Sequence, residues 1–304
     1  MEQNIIHNDN CENALKWLDK KSVDLIFTSP PYSNVKKYGN LDSQCSPDEY
    51  VKWFLPKAHV FKEVLKDSGS FILNIGDKTI NKCRHNYVFE LVLALEREYG
   101  FRRFETLFWD KGCSPPAKGR FRNTTEYIFW FIKSGCEDKF KFNIDKGRVP
   151  YNEITLKRHK SMQSKWHTRD SAKEKCPQCG EQRKYKKDRL ICLSCGYEEI
   201  VELKKVDANP LGALPSTLLR MGSESRNTGY HAAVFPKRLP LYFIPIATEE
   251  SDIVFDPFSG NATTALACMD LNRKYIGCEI VKEIHDNSIK RINSYKAELE
   301  KNGH

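Results

Sequence analysis

Short apolar runs alternate with amphipathic stretches along most of this chain. Val23-Asp-Leu-Ile-Phe27 is an apolar run that stops at Thr28-Ser-Pro-Pro-Tyr32, and Ser70-Phe-Ile-Leu-Asn-Ile75 is a second that stops at Gly76-Asp77. Apolar runs of this length, bounded by turn formers, mark strands buried on both faces. Between them residues 47–66 carry apolar side chains at helical spacing, with a kink expected at Pro56. A helix over 86–98 and strands near 104–109 and 126–132 follow. After a long polar stretch the alternation resumes. It predicts a helix over 236–248, a strand at Asp252-Ile-Val-Phe255, a helix over 261–271, a strand at Lys274-Tyr-Ile-Gly-Cys278 and an amphipathic helix over 281–300. The fold class is α/β: a doubly wound, Rossmann-like sheet interrupted at about 136–230. In such sheets ligands sit beyond the carboxyl ends of the strands, so the loops after Phe27 and Phe255 are predicted to form one site.

Charge sets the interruption apart. The 304 residues carry 49 Lys+Arg against 40 Asp+Glu, a formal net of +9. From Lys157 to Arg189 there are twelve basic and four acidic residues, a net of +8, which leaves the rest of the chain nearly neutral at +1. A basic run is commonly a solvated face; it is also how a protein replaces counterions on nucleic-acid phosphate. Within it lie Cys176-x2-Cys179 and Cys192-x2-Cys195, each followed by a glycine. Two residues between thiolates let one tight turn present both sulfurs to one metal, and Gly180 and Gly196 permit the positive φ such a turn tends to need. Four thiolates form a closed, structural Zn2+ site, so residues 174–198 read as a zinc ribbon. The other seven cysteines show no pairing pattern and suit a reducing compartment. No apolar run approaches the ~20 residues of a membrane span, and the first ten residues have no leader pattern. A cytoplasmic protein is expected.

The loop Asp256-Pro-Phe-Ser-Gly-Asn-Ala-Thr-Thr264 joins a strand to a helix N-terminus, where exposed N–H groups attract a carboxylate or phosphate. It is neither a P-loop nor GxGxxG. Glu279 ends the next strand, where an acid commonly receives ribose hydroxyls. A nucleoside with a small anionic group and no pyrophosphate fits, which describes S-adenosylmethionine; an ordinary strand–turn–helix junction has the same outline. In Thr28-Ser-Pro-Pro-Tyr32 two prolines hold the chain extended and project carbonyls as rigid acceptors beside an aromatic ring. Such a cluster suits the amino group of an extruded base, although a rigid turn alone is the commoner use of this motif.

Together the TSPPY loop, the later FDPFSGNATT loop and the segment between them resemble the β-class amino-methyltransferases of DNA. Gly69 to Asp77, Trp109-Asp-Lys111 with Arg120 to Glu126, and His231 to Pro236 before Leu239 fit the same resemblance, which covers about 1–135 and 210–304. It implies a catalytic half (1–135), a target-recognition region (136–230) and a cofactor half (231–304). Ser29, Pro30, Pro31 and Tyr32 would be the catalytic loop: Ser29 and the Pro30 carbonyl accept from the target amino group, and Tyr32 stacks on the flipped base. Asp256, Pro257, Phe258, Gly260 and Thr263 would form the S-adenosylmethionine loop, Glu279 would hold the ribose, Phe235 would border the methionine end, and Asp9 would approach the adenine. Where the family usually has Gly-Ser-Gly-Thr, this chain has Gly260-Asn-Ala-Thr263, so Ala262 replaces a glycine.

The implied chemistry accounts for the residue types. An exocyclic amino nitrogen is a poor nucleophile until acceptors on its N–H bonds expose the lone pair; the proton leaves only from the cationic product, so Ser29 orients rather than acts as a strong base. Ser29-Pro-Pro-Tyr32 resembles the cytosine-N4 enzymes, with adenine N6 the alternative. Other readings are a non-catalytic zinc-ribbon DNA-binding protein on the same scaffold, or an RNA or protein amino-methyltransferase. Double-stranded DNA is the expected partner, held by Lys157, Arg158, Lys160, Lys165, Arg169, Lys184, Lys186 and Lys187, with a possible cognate restriction endonuclease acting separately. Recognition sequence and oligomeric state are not legible.

Overall fold

The computed structural model describes residues 1–32, 46–112, 119–161, 175–186, 189–200, 209–222 and 235–301. The strands are β1 (Ile5–His7), β2 (Val23–Thr28), β3 (Leu65–Ile75), β4 (Thr79–Ile80), β5 (Cys83–Arg84), β6 (Phe101–Asp110), β7 (Thr125–Lys133), β8 (Arg183–Lys186), β9 (Arg189–Cys192), β10 (Glu198–Ile200), β11 (Leu218–Arg220), β12 (Ile253–Asp256) and β13 (Lys274–Cys278). The α-helices are α1 (Pro47–Val64), α2 (Tyr87–Glu98), α3 (Glu153–Ser161), α4 (Arg238–Ala247), α5 (Thr263–Asp270) and α6 (Lys282–Lys301).

Eight strands form the main sheet in the order β1-β13-β12-β2-β3-β7-β6-β11. All pairings are parallel except the two made by β7. The two-residue side-chain period of a strand sorts the core. Ile26, Phe71, Leu73, Phe129 and Phe131 meet α1 and α2 on one face; Leu25, Phe27, Ile72, Ile128 and Trp130 meet α4 and α5 on the other. Because both faces are covered, β2 and β12 are buried along their whole length. At their amino ends buried Asp24 accepts from Lys66 and Lys141, and Lys141 also reaches Asp252 at 2.6 Å. That end is closed by charge pairs; the carboxyl ends carry the loops.

The chain divides into two compact units, 1–147 with 216–304, and 148–215. The second is narrower than the 136–230 interruption, for a physical reason at each side. Phe140 and Phe142 pack on Phe104 of β6, and the Asn143 N–H bonds the Ile246 carbonyl, so this stretch belongs to the sheet unit. After residue 215 the chain adds β11 to the sheet edge beside β6. In the inserted unit β8, β9 and β10 form an antiparallel three-stranded sheet. None of the helices is long and apolar enough to cross a membrane among the described residues.

Candidate active site

β2 and β12 are neighbours in the middle of the sheet, with Leu25 opposite Val254 and Ile26 opposite Phe255. Their carboxyl ends therefore open side by side. Thr28 Oγ1 donates to Asp256 Oδ1 at 2.7 Å, tying together loops 228 residues apart in sequence. Asp256 is buried and also accepts from Thr264 Oγ1 at 2.6 Å and from the Phe258 N–H at 3.1 Å. Burial pushes its carboxyl up to about 6, against these hydrogen bonds, which favour the ionised form. Both carboxylate oxygens are engaged by this chain, so Asp256 shapes the loop from inside. Pro257 is buried behind it, and Phe258 lies against Trp53 and Phe54 of α1.

The turn enters α5 through Ala262, whose φ of 61° and ψ of 27° are left-handed. Glycine takes this conformation without cost, whereas a Cβ crowds the following carbonyl. The departure noted at Ala262 therefore falls on one of two left-handed positions in this turn, the other being Gly260 with φ of 47°. Arg291 of α6 donates to the Asn261 carbonyl at 2.7 Å and to Thr263 Oγ1 at 3.3 Å, bracing the entry.

Glu279, just past β13, accepts from the Gly260 N–H at 3.0 Å through Oε2 and from the Val281 N–H at 2.9 Å through Oε1. Each oxygen keeps a second lone pair, and burial holds this carboxyl above its ordinary range. The Asn8 side chain donates to the Glu279 carbonyl at 2.8 Å, which brings Asp9 beside it. Asp9 accepts from Asn13 at 2.8 Å, the main cause of its lowered pKa, and from the Asn10 N–H at 2.7 Å. His7 stacks on Trp17 with ring centroids 4.0 Å apart. The residues Asp9, Phe258, Gly260 and Glu279, scattered in sequence, thus cluster around the ends of β1, β12 and β13. Phe235 lies edge-on to Phe27 at 5.5 Å and so borders β2, the strand that carries the TSPPY loop.

The TSPPY loop is held by groups that sequence reasoning had not assigned. Tyr50 donates to the Pro31 carbonyl at 3.0 Å, fixing the diproline. The Tyr32 hydroxyl lies 2.6 Å from Glu126 Oε2, 3.2 Å from Ser29 Oγ and 3.4 Å from Asn74 Oδ1. Glu126 is paired with Lys111 at 2.8 Å. The phenol has one proton, and burial together with Glu126 raises its pKa well above the usual value, so the proton stays. The shortest contact is to a carboxylate that can only accept, which directs the proton to Glu126. The phenol oxygen then accepts from Ser29, and the Ser29 hydroxyl oxygen is left with lone pairs to offer. Beneath the ring, a Cβ on Gly76 would lie 2.9 Å from Tyr32 Cε2, so only glycine lets the ring sit there. The available signals were polar residues inside apolar strands: Asn74 in β3 and Glu126 near the start of β7.

In the inserted unit the four cysteine sulfurs lie within 4.8 Å of one another. Cys176 and Cys195 Sγ are 3.5 Å apart, and Cys179 and Cys192 Sγ 3.4 Å. Sulfurs around a tetrahedral zinc with Zn–S of about 2.3 Å are spaced about 3.8 Å, so the cluster fits the metal to within small adjustments. The two knuckles repeat each other: Gly180 N–H bonds Cys176 O and Gly196 N–H bonds Cys192 O, both at 2.9 Å, with φ of 75° at each glycine. Of the basic residues, Lys157 on α3 and Lys184 on β8 are exposed. The side chains of Arg158, Lys160 and Lys186, and the whole of Lys165, Arg169 and Lys187, lie outside the described residues.

Comparison with known proteins bears on the sheet unit and its loops together. The N6_N4_Mtase family model, described as DNA methylase, matches residues 23–290. The type II methyltransferase M.PvuII of Proteus hauseri is 28% identical over 292 residues, covering 88% of this chain and 77% of that protein. The orphan methyltransferase M.BamHII of Bacillus amyloliquefaciens is 30% identical over 275 residues, 90% of each chain. Among solved structures, PvuII DNA methyltransferase (cytosine-N4-specific) superposes with a TM-score of 0.63 at 23% identity, covering 96% of this chain and 86% of that one. A putative DNA modification methylase of Thermus thermophilus, complexed with S-adenosyl-L-methionine, gives 0.58 at 16% identity over 95% and 93%. The sheet order, the two loops joined at its centre and the family match over most of the chain agree: this protein belongs to the N6/N4 DNA methylase family and is a DNA methyltransferase.

Proposed function

We propose that this chain transfers a methyl group from S-adenosylmethionine to the exocyclic N4 of cytosine in duplex DNA, as the modification component of a restriction-modification or related system. The observation that carries the reading is the Thr28–Asp256 hydrogen bond, which sets the amino-group acceptors of one loop beside the nucleoside-type pocket of the other. S-adenosylmethionine supplies, when bound, a methyl group on an electron-poor sulfonium. Glu279 offers two free lone pairs to ribose hydroxyls, Asp9 stands beside it for the adenine, and Thr263 with the α5 amino end receives the methionine carboxylate. Ser29 Oγ and the Pro30 carbonyl accept from the target amino group and expose its lone pair for in-line attack. Tyr32, pinned by Glu126 and seated on Gly76, gives the extruded base a flat platform. Zn2+ holds the 174–198 ribbon, and the basic inserted unit, through Lys157, Lys184 and their neighbours, engages duplex phosphate.

Expression in a host lacking DNA methylation, followed by mass spectrometry of digested nucleosides, tests this reading. N4-methylcytosine is the expected product. N6-methyladenine would transfer the assignment to the adenine branch, and absence of both would sink it.

A further inference from the structure

Phe121 is 98% exposed, whereas the next most exposed large apolar side chain described in the same unit, Ile280, is at 50%. A phenyl ring wholly in water gains nothing from folding, and its company is distinctive. Arg120 and Arg122 flank it, and Arg120 Nη1 donates to the Lys82 carbonyl at 2.9 Å, joining this loop to the β4–β5 hairpin. Asn81 and Lys82 form the hairpin tip with φ of 48° and 66°, the handedness of a two-residue turn that holds its strands close and its tip outward. None of Lys78, Lys82, Arg120 and Arg122 makes an ion pair among the described residues. The two segments joined by that bond therefore carry four cations and one bare ring.

Both of its roots end on Tyr32. The hairpin follows Gly76, which lies against the Tyr32 ring; the arginine loop leads into β7, where Glu126 holds the Tyr32 hydroxyl at 2.6 Å. Glu126 is five positions after Phe121, so their Cα atoms are at most about 18 Å apart, roughly five base-pair steps of a duplex. We infer that the 119–124 loop and the β4–β5 hairpin are a second duplex-contacting surface, on the catalytic unit itself. Phe121 wedges into the base stack vacated by the extruded nucleotide, and Lys78, Lys82, Arg120 and Arg122 grip the flanking phosphates. An apolar wedge costs a base step its stacking and makes extrusion cheaper to hold. The inference rests on the DNA amino-methyltransferase reading.

The test uses the full-length protein and synthetic duplexes carrying the site that it modifies in plasmid DNA, with the target base opposite either its partner or an abasic position. The second duplex has already lost its pairing, so it needs the wedge less. We expect F121A to cut transfer to the intact duplex by ~10-fold or more, the abasic-opposed duplex to be affected ~3-fold or less, and F121W to restore most of the rate. R120A/R122A should reduce the slope of log affinity against log salt by about 2. F121A within twofold of an active wild type on the intact duplex, or an unchanged salt slope, overturns the surface and leaves the methyltransferase reading standing. A wild type that modifies neither duplex overturns that reading and this surface with it.

Discussion

The two units of the chain build their sites by opposite means. The sheet unit buries aromatic and aliphatic side chains on both faces of eight strands, and its site is a by-product of register: once β2 and β12 pair, Thr28 and Asp256 must meet. Among its described residues the inserted unit has almost no such core. Its buried apolar side chains among the described residues are Cys176, Leu190 and Cys192. These side chains remove little apolar area from water to offset chain entropy, and the proposed zinc on the four thiolates would supply the difference. One region is held by packing and can spare a single ligand; the other, on the zinc reading proposed above, is held by a ligand and cannot.

The sharpest way to break this contrast is to remove the metal. Structural zinc contributes an apparent ~10–16 kcal/mol in small zinc folds. Cys176→Ser should therefore lose the single equivalent of zinc, expose 175–200 to protease and weaken duplex binding, while the sheet unit keeps its melting transition. Zinc content by mass spectrometry and limited proteolysis read this directly. Equal loss of order in both units would show that they fold as one.

In the sheet unit the corresponding blow is chemical and leaves the fold alone. Ser29→Ala removes the acceptor that the Tyr32–Glu126 arrangement frees. Loss of one such oriented group costs about 10²–10³ in rate, with cofactor affinity unchanged, because the Glu279 end shares no contact with it. Single-turnover methyl transfer beside isothermal titration of S-adenosylmethionine separates the two. A matched loss of cofactor binding would mean that the two loops are one cooperative element rather than two tethered ones.

Packing also has an electrostatic cost, which pH exposes. Asp256 titrates at about 6 in the folded chain against an ordinary 3.8. The folded state therefore binds the proton more tightly, and the stability this gives is complete below pH 3.8 and is lost as pH rises through 6. The difference corresponds to about 3 kcal/mol at neutral pH, by the usual 1.36 kcal/mol per pKa unit. Asp256→Asn cannot ionise and keeps partners for Thr28 and Thr264. Urea unfolding should find it gaining on the wild type as pH rises from 3.8 through about 6, and a constant difference would deny the buried charge.

What could be read from the sequence follows the same division. The central strands and their helices were legible because burial on both faces writes itself as apolar runs; β2, β7 and β13 fall within a residue or so of expectation. β3 starts at Leu65 rather than Ser70 because Leu65 already pairs with Val23, ahead of a register shift that bulges the polar Lys66-Asp-Ser-Gly69 out of the ladder. Pro56 lies inside α1 without ending it. β1 and β11, three residues each, carry too few positions for any period to show. The four-cysteine cluster was legible from its spacing alone. Glu126, Asn74 and Gly76 were not given roles, because their meaning lies in a tertiary contact with Tyr32 that no local pattern records.

The smallest expected effect bears on how much strain the packed unit tolerates at its site. Ala262 is left-handed at the entry to α5 and is buried, so neither solvent nor a neighbouring turn relieves it. An L-residue there costs roughly 1–2 kcal/mol, and glycine returns about 0.4–1 kcal/mol of that through the greater entropy of the unfolded chain. Ala262→Gly should therefore stabilise the sheet unit by about 0.5–1 kcal/mol, seen as a higher urea midpoint with an unchanged slope. Gly260 N–H, which Glu279 anchors two residues earlier, should keep its partner, so cofactor affinity should move by less than threefold (about 0.6 kcal/mol). A loss of stability would mean that the Ala262 methyl fills space in the α4–α5 packing that outweighs its backbone strain. Strain at this turn would then be a local feature kept in place by what surrounds it.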